Sequence, residues 1–179
     1  GAIGTAVGAT AGALIGKKMD KAKKEAEAIE NAKVEQVVDI NGLPAVKVTF
    51  DSGILFATGK STLQSAAKTS LSDFANNVLL QNADMDVAIQ GYTDNDGWKG
   101  CTPAQSAKKN EELSLKRADA VAKYLKSIGV TNDQIKTVQG LGEANPVADN
   151  STAAGKQQNR RVEVYLYASE EMIEAANQG

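Results

Sequence analysis

Asp94 and Arg117 are the pair of residues in this sequence best suited to chemistry. Asp94 lies in a polar, glycine-containing loop directly after residues 87–90, an apolar segment that predicts a strand. Arg117 lies one turn beyond Leu113 on the helix predicted next, so both charged side chains can reach the crevice at the strand end. A carboxylate in such a crevice binds an ammonium group, and a guanidinium binds a carboxylate in bidentate fashion. The pattern therefore predicts a site for a zwitterion.

Each candidate residue also has an ordinary structural interpretation. Asp94, beside Asn and Gly residues, is typical of an Asx turn, and Asn110 could cap a helix N-terminus. Arg160 could form an internal salt bridge. Arg117 lacks a local partner, because the positions three and four residues away hold only uncharged side chains: Leu113, Ser114, Ala120 and Val121.

The composition excludes several classes of function. The chain has no histidine and one cysteine, Cys101, which excludes Ser-His-Asp and Cys-His catalysis, histidine-zinc sites and an internal disulfide. A net charge of -2 disfavours nucleic acid as a partner. Asp94 and Asp96 lie in one turn with no enforced separation across a sugar ring, which disfavours glycoside hydrolysis. We expect a protein that is not an enzyme and holds no cofactor or metal.

The elements that position these residues alternate between strands and helices. Residues 34–40 and 45–50 flank Asn41-Gly42 and predict a hairpin. Ser61 with Gln64 predicts a capping box that opens a helix, and a second helix ends at Gly129. Residues 135–139 and 162–167 predict strands, and residues 151–159 a short helix. The order predicts an α+β fold, a two-layer α/β sandwich with a mixed sheet and helices on one face.

A glycine-zipper and charged helical segment precedes this sandwich. Gly4, Gly8, Gly12 and Gly16 recur at a spacing of four, which puts them on one helical face, and residues 17–30 are rich in lysine, glutamate and alanine. We interpret residues 1–30 as a zipper, frayed unless it borrows a neighbour, with a solvated spacer. Residues 31–168 form the folded domain, and residues 169–179 a helical or loose tail. From the sequence we expect neither a bilayer-spanning segment nor a signal peptide within these residues.

Four sequence blocks occur along the chain in this order: GYTDNDG, NEELSLKRADAVAKYLKSIGV, IKTVQGLGEANPVADN and GKQQNRRVEVYLY. Together they resemble the OmpA-like C-terminal domain found in peptidoglycan-associated lipoproteins and flagellar stator proteins. The resemblance covers residues 48–166. It implies non-covalent binding of peptidoglycan through the meso-diaminopimelate residue of the stem peptide. Position by position, it makes Asp94 and Arg117 the principal ligands of the carboxylate-ammonium end of that residue.

The resemblance also implies secondary site residues. Asn110 matches an asparagine that lines the pocket, Arg160 matches the first arginine of an NRR block, and Thr93 and Leu113 border the pocket. Arg161 matches the second arginine, which we interpret as structural.

This chain departs from the family pattern in several places. Residues 98–109, from Trp98 to Lys109, contain an insertion between the loop glycine and the asparagine. Residues 54–56 resemble the family's first strand, but Ala57 stands where an acid usually follows. Tyr92 replaces a common histidine, and Lys156 replaces a common arginine.

The expected function is therefore a tether between the outer membrane and diaminopimelate-type peptidoglycan. The protein is expected at the periplasmic face of the outer membrane, anchored through its N-terminal region. The alternative is an oligomerising envelope assembly or scaffold protein, a homo-oligomer driven by the glycine zipper.

Overall fold

The computed structural model describes residues 4–179 of the chain. The strands are β1 (Ala32–Val38), β2 (Pro44–Asp51), β3 (Met85–Tyr92), β4 (Ile135–Gly140) and β5 (Arg161–Ala168). The helices are α1 (Ala9–Glu27), α2 (Ser52–Leu55), α3 (Ser65–Phe74), α4 (Pro103–Ile128), α5 (Ala153–Asn159) and α6 (Glu170–Gln178). A π-helical turn and a 3₁₀ turn extend α3 as far as Asn82.

The five strands form one mixed sheet in the order β1-β2-β5-β3-β4. The pairs β1-β2, β2-β5 and β3-β5 are antiparallel, and β3-β4 is parallel. The parallel pair requires a crossover, which α4 supplies. Hairpin β1-β2 and the strand at residues 161–168 are confirmed where the sequence predicts them.

The two faces of the sheet differ in chemistry because side chains alternate along each strand. On the helix-covered face, β2 and β5 bury aliphatic and aromatic side chains: Val46, Val48, Phe50, Val162, Val164 and Leu166. The other face carries Lys47, Glu163 and Tyr165. The predicted two-layer sandwich with helices on one face is confirmed.

Two local predictions are wrong. The helix after the hairpin begins at Ser65 and its N-cap is Gln64, which makes no side-chain capping bond; Ser61 does not open it. Residues 54–56 do not form the strand that the resemblance implies: residues 52–55 form a short helix, because the Asp51 side chain accepts the Gly53 N–H and caps the turn. Phe56 then makes a single bridge to Leu63.

The N-terminal segment packs against the domain. Helix α1 buries Ala11, Ile15, Met19, Ala22 and Ala26, and all but Ala11 join the main hydrophobic core. Residues 9–16 therefore have a neighbour to pack against, and the expectation of a solvated spacer is wrong for residues 17–27. An apolar residue every three or four positions between the charged ones supplies the buried stripe.

The glycine face of α1 does not make this contact. A Cβ at Gly16 would meet no atom within 4 Å, and one at Gly12 would meet only Val7. The tail forms α6, whose Met172 and Ile173 are buried, and Asn177 accepts the Gly8 N–H. Within residues 4–179, no helix combines the length and apolar character needed to cross a membrane.

Candidate functional site

A pocket of about 610 Å³ lies beyond the end of β3, between the loop after α2 and the inner face of α4. All the residues that the sequence predicts for the site line it: Thr93, Asp94, Asn110, Leu113, Arg117 and Arg160. Their positions on α4 follow helical spacing, since Asn110, Leu113 and Arg117 are three and four residues apart. The pocket therefore forms where one helix face meets one strand end.

Glycine in β3 lets α4 approach closely enough to build this pocket. A Cβ at Gly91 would lie 2.2 Å from the backbone oxygen of Ser114, a distance that no side chain tolerates. The Ser114 hydroxyl in turn accepts the Gly142 N–H at 2.9 Å, which ties α4 to the loop after β4. The close contact places Asp94, just past β3, opposite Arg117.

Asp94 is buried and makes two contacts within the protein, an Asx turn and an ion pair with Arg160. Its Oδ1 accepts the Asp96 N–H at 2.8 Å, which is an Asx turn, and its Oδ2 accepts Nη1 of Arg160. The side chain of Asp94 is 7% exposed and that of Arg160 is 37% exposed. Thr93 stabilises the same turn by donating its hydroxyl to the Asp94 carbonyl at 2.7 Å. Asp94 thus lies oriented in the pocket with its carboxylate beside a partly exposed cation.

Arg117 is a buried cation. It is 5% exposed, its Nε donates to the Lys60 carbonyl at 2.9 Å, and its guanidinium lies 5.2 Å from the centre of the Phe56 ring. Among the described residues, no carboxylate lies within 4.0 Å of it. Burial and the nearby charge of Arg160 lower the pKa of Arg117, and the charge of Asp94 opposes that shift. The Nη groups are therefore available for an anion.

Asn110 is not a helix N-cap. Helix α4 begins at Pro103, and Thr102 caps it in a reciprocal box with Gln105. The residues inserted relative to the family pattern thus form a loop and the first turns of α4. Asn110 lies two turns into the helix, where its Nδ2 donates to the Asp96 carbonyl at 3.1 Å.

Several pocket residues escape prediction from sequence. Phe56 and the Lys60 carbonyl hold Arg117, and Gln64 closes the far side by donating to the carbonyls of Gly53 and Ile54. A backbone carbonyl that accepts a hydrogen bond cannot be recognised from residue type, because every residue has one. The Phe56 contact also depends on the fold, because an arginine lies over an aromatic ring only where the structure brings the two together.

Arg161, interpreted from sequence as structural, lies in a separate buried cluster. Its Nε donates to Glu163 at 2.7 Å, its Nη atoms donate to the carbonyls of Asn159 and Asn145, and it lies 3.9 Å from the ring centre of Tyr92. All three guanidinium nitrogens of Arg161 thus donate within the protein, and Arg160 is the arginine of this pair that lines the pocket.

Comparison with known proteins agrees with this architecture. The model of the OmpA family matches residues 55–160. The chain is 35% identical to the probable lipoprotein YiaD of Escherichia coli, over 92% of this chain and 80% of YiaD. It is 48% identical to the peptidoglycan-binding protein ArfA of Mycobacterium tuberculosis, over 46% of this chain and 23% of ArfA.

Among solved structures, the cell wall anchor of the type VI secretion system from Pseudomonas aeruginosa is similar, with a TM-score of 0.65 and 25% identity. The match covers 84% of this chain and 97% of that one. The family match spans the pocket from the end of α2 to Arg160. From its sequence and its fold alike, the chain belongs to the OmpA family.

Proposed function

We propose that this protein binds peptidoglycan non-covalently, gripping the free carboxylate-ammonium end of meso-diaminopimelate in the stem peptide. The observation that carries the proposal is the buried guanidinium of Arg117, which faces the same pocket as Asp94 and has no carboxylate partner among residues 4–179. A desolvated cation is costly unless an anion meets it, so the pocket favours a ligand that supplies one.

The charges of the pocket suit such a ligand. Arg117 and Arg160 provide two positive charges against the carboxylate of Asp94, while Asp96 forms its own ion pair with Lys156 at 2.7 Å. The ligand carboxylate would accept from the Nη groups of Arg117, and its ammonium would donate to Asp94. Since Arg160 is half exposed, it can yield part of its contact with Asp94 to the ammonium and remain close to a second ligand oxygen.

Binding accounts for the site without catalysis. Asp94 accepts two hydrogen bonds from the protein and Asp96 is paired with Lys156, so neither carboxylate is set up as a general base. The supporting comparisons include a protein named peptidoglycan-binding and another named a cell wall anchor. We infer a tether that links the outer membrane to the cell wall on the periplasmic side, in keeping with the lipoprotein name of YiaD.

Two soluble tripeptides test the proposed ligand. They are L-Ala-γ-D-Glu-meso-diaminopimelate and the same peptide with L-Lys, which lacks the side-chain carboxylate. Without that carboxylate Arg117 stays buried and unpaired, a penalty of about 2 to 5 kcal/mol, so the diaminopimelate peptide should bind at least about thirtyfold more tightly. Isothermal titration calorimetry measures the ratio. Arg117→Ala should remove the preference; equal affinities for the wild type would refute the proposal.

A further inference from the structure

The loop between β3 and α4, residues 93–102, is joined to the helix by hydrogen bonds of its tryptophan. The backbone N–H of Trp98 donates to Oγ of Ser106 at 2.8 Å, and its indole Nε1 donates to Oδ1 of Asn110 at 2.8 Å. Ser106 and Asn110 are each 5% exposed and lie four residues apart, on one face of α4. This loop and the first turns of α4 contain the residues inserted relative to the family pattern.

These contacts determine how the Asn110 amide is oriented. An indole N–H can only donate, so the atom of Asn110 that faces Trp98 must be the carbonyl oxygen. One N–H of Nδ2 donates to the Asp96 carbonyl at 3.1 Å. The second N–H makes no hydrogen bond to the described part of the chain, and Asn110 lines the pocket. Asn110 thus offers the pocket a donor.

We propose that Trp98 is a positioning residue of the ligand site: it holds the Asn110 amide so that its free N–H donates to a carboxylate or carbonyl oxygen of the bound stem peptide. The inference rests on the proposed function and extends it to the inserted loop. Trp98 itself lies behind Asn110 and acts through it.

The indole is restrained on a second side. The ammonium of Lys109 lies 5.5 Å from the centre of the Trp98 ring, and Trp98 is 37% exposed. Trp98 is also the single tryptophan of the chain. Its indole N–H resonance and its fluorescence therefore report on this one contact.

A double-mutant cycle tests the inference by calorimetry with the diaminopimelate tripeptide. Trp98→Phe keeps a ring and removes the N–H donor, and we expect about tenfold weaker binding, as for one lost hydrogen bond. Asn110→Ala removes the group on which Trp98 acts. In the Asn110→Ala background, Trp98→Phe should then change the affinity less than about twofold. Lys99→Ala, an exposed change in the same loop, should bind like the wild type.

The indole N–H cross-peak in ¹H–¹⁵N spectra gives a second readout. In the wild type it should shift when the tripeptide binds, and Asn110→Ala should move it toward the position of a free indole. The inference is refuted if folded Trp98→Phe binds as tightly as the wild type, or if the two losses multiply. A wild type that does not bind the tripeptide would instead refute the proposed function, and the inference with it.

Discussion

At the scale of single residues, the site depends on Arg117, a cation whose burial is energetically unfavourable. Arg117 is buried, and its pKa is lowered by that burial and by the neighbouring charge of Arg160. Its contacts with the described part of the chain include the Phe56 ring and the Lys60 carbonyl. A structural arginine of the same domain, Arg161, is instead paired with Glu163. Within residues 4–179, Arg161 has a carboxylate partner and Arg117 has none, and this contrast between two buried arginines supports a ligand for Arg117.

Glu163 is the residue whose charge we expect to matter most for stability. It is 2% exposed, and it accepts hydrogen bonds from Arg161 at 2.7 Å and from the Tyr165 hydroxyl at 2.6 Å. Burial alone would raise the pKa of Glu163, but these hydrogen bonds and the charges of Arg161 and Lys47 outweigh it and lower that pKa. Glu163→Gln leaves Arg161 buried without an anion, so it should reduce the free energy of unfolding by about 3 kcal/mol near neutral pH.

The pH dependence of that loss has a definite sign. Because the pKa of Glu163 is lower in the folded protein than its usual value of 4.5, its contribution is complete above that value and is lost as the pH falls through the folded pKa. In urea denaturation from about pH 7 to about pH 3, the gap between the wild type and Glu163→Gln should keep its full size above about pH 5 and narrow as the pH falls below 4.5. Glu112→Gln, at an exposed position of α4, should track the wild type throughout. A constant gap would mean that the charge is irrelevant.

Site residues could be predicted from sequence where residue type and helical spacing carry the information. The sequence shows that no acidic residue lies three or four positions from Arg117, the spacing at which side chains meet on a helix. It also shows that Arg117 and Leu113 share a helix face. The ion pair of Arg160 with Asp94 and the carbonyl of Lys60 depend on loops brought together by the fold. Such contacts join positions about 60 residues apart and follow no local pattern.

At the scale of elements, helix α1 contributes side chains to the main hydrophobic core, although it precedes the domain predicted from sequence. Ile15 is 1% exposed within the main core, whereas its neighbour Leu14 is 42% exposed. Ile15→Ala should therefore reduce the free energy of unfolding by about 2 to 5 kcal/mol, and Leu14→Ala by less than about 0.5 kcal/mol. Chemical denaturation of both variants measures the difference. Equal, small effects would show that α1 is detached from the core in solution.

Strands and helices differed in how far they could be predicted. The period-2 pattern of β5 and the Asn-Gly turn of the hairpin have strong local signals, and both elements are confirmed. The start of α4 also had a readable signal, Thr102 with Gln105 and Pro103, although the sequence interpretation placed the opening of the helix near Asn110. For α1, high charge and many glycines hid an apolar stripe whose burial depends on contacts with distant elements.

At the scale of the whole molecule, the pocket lies at one end of a sheet whose helix-covered face forms the core. Helix α4 links the two parts, since it buries Ala118, Val121 and Leu125 in the core and presents Asn110 and Arg117 to the pocket. Helices α1 and α6, from the two ends of the chain, pack together, and neither of them contributes a residue to the pocket. The proposed attachment through the N-terminal region therefore uses no residue of the pocket.

Co-sedimentation with diaminopimelate-type sacculi tests the central claim most directly. The wild type should pellet with the sacculi. Arg117→Ala and Asp94→Ala, once circular dichroism and melting show that they are folded, should remain in the supernatant. Lys116→Ala, an exposed change beside Arg117, should pellet like the wild type. Undiminished pelleting of folded Arg117→Ala and Asp94→Ala would contradict the account and place the cell-wall contact outside this pocket.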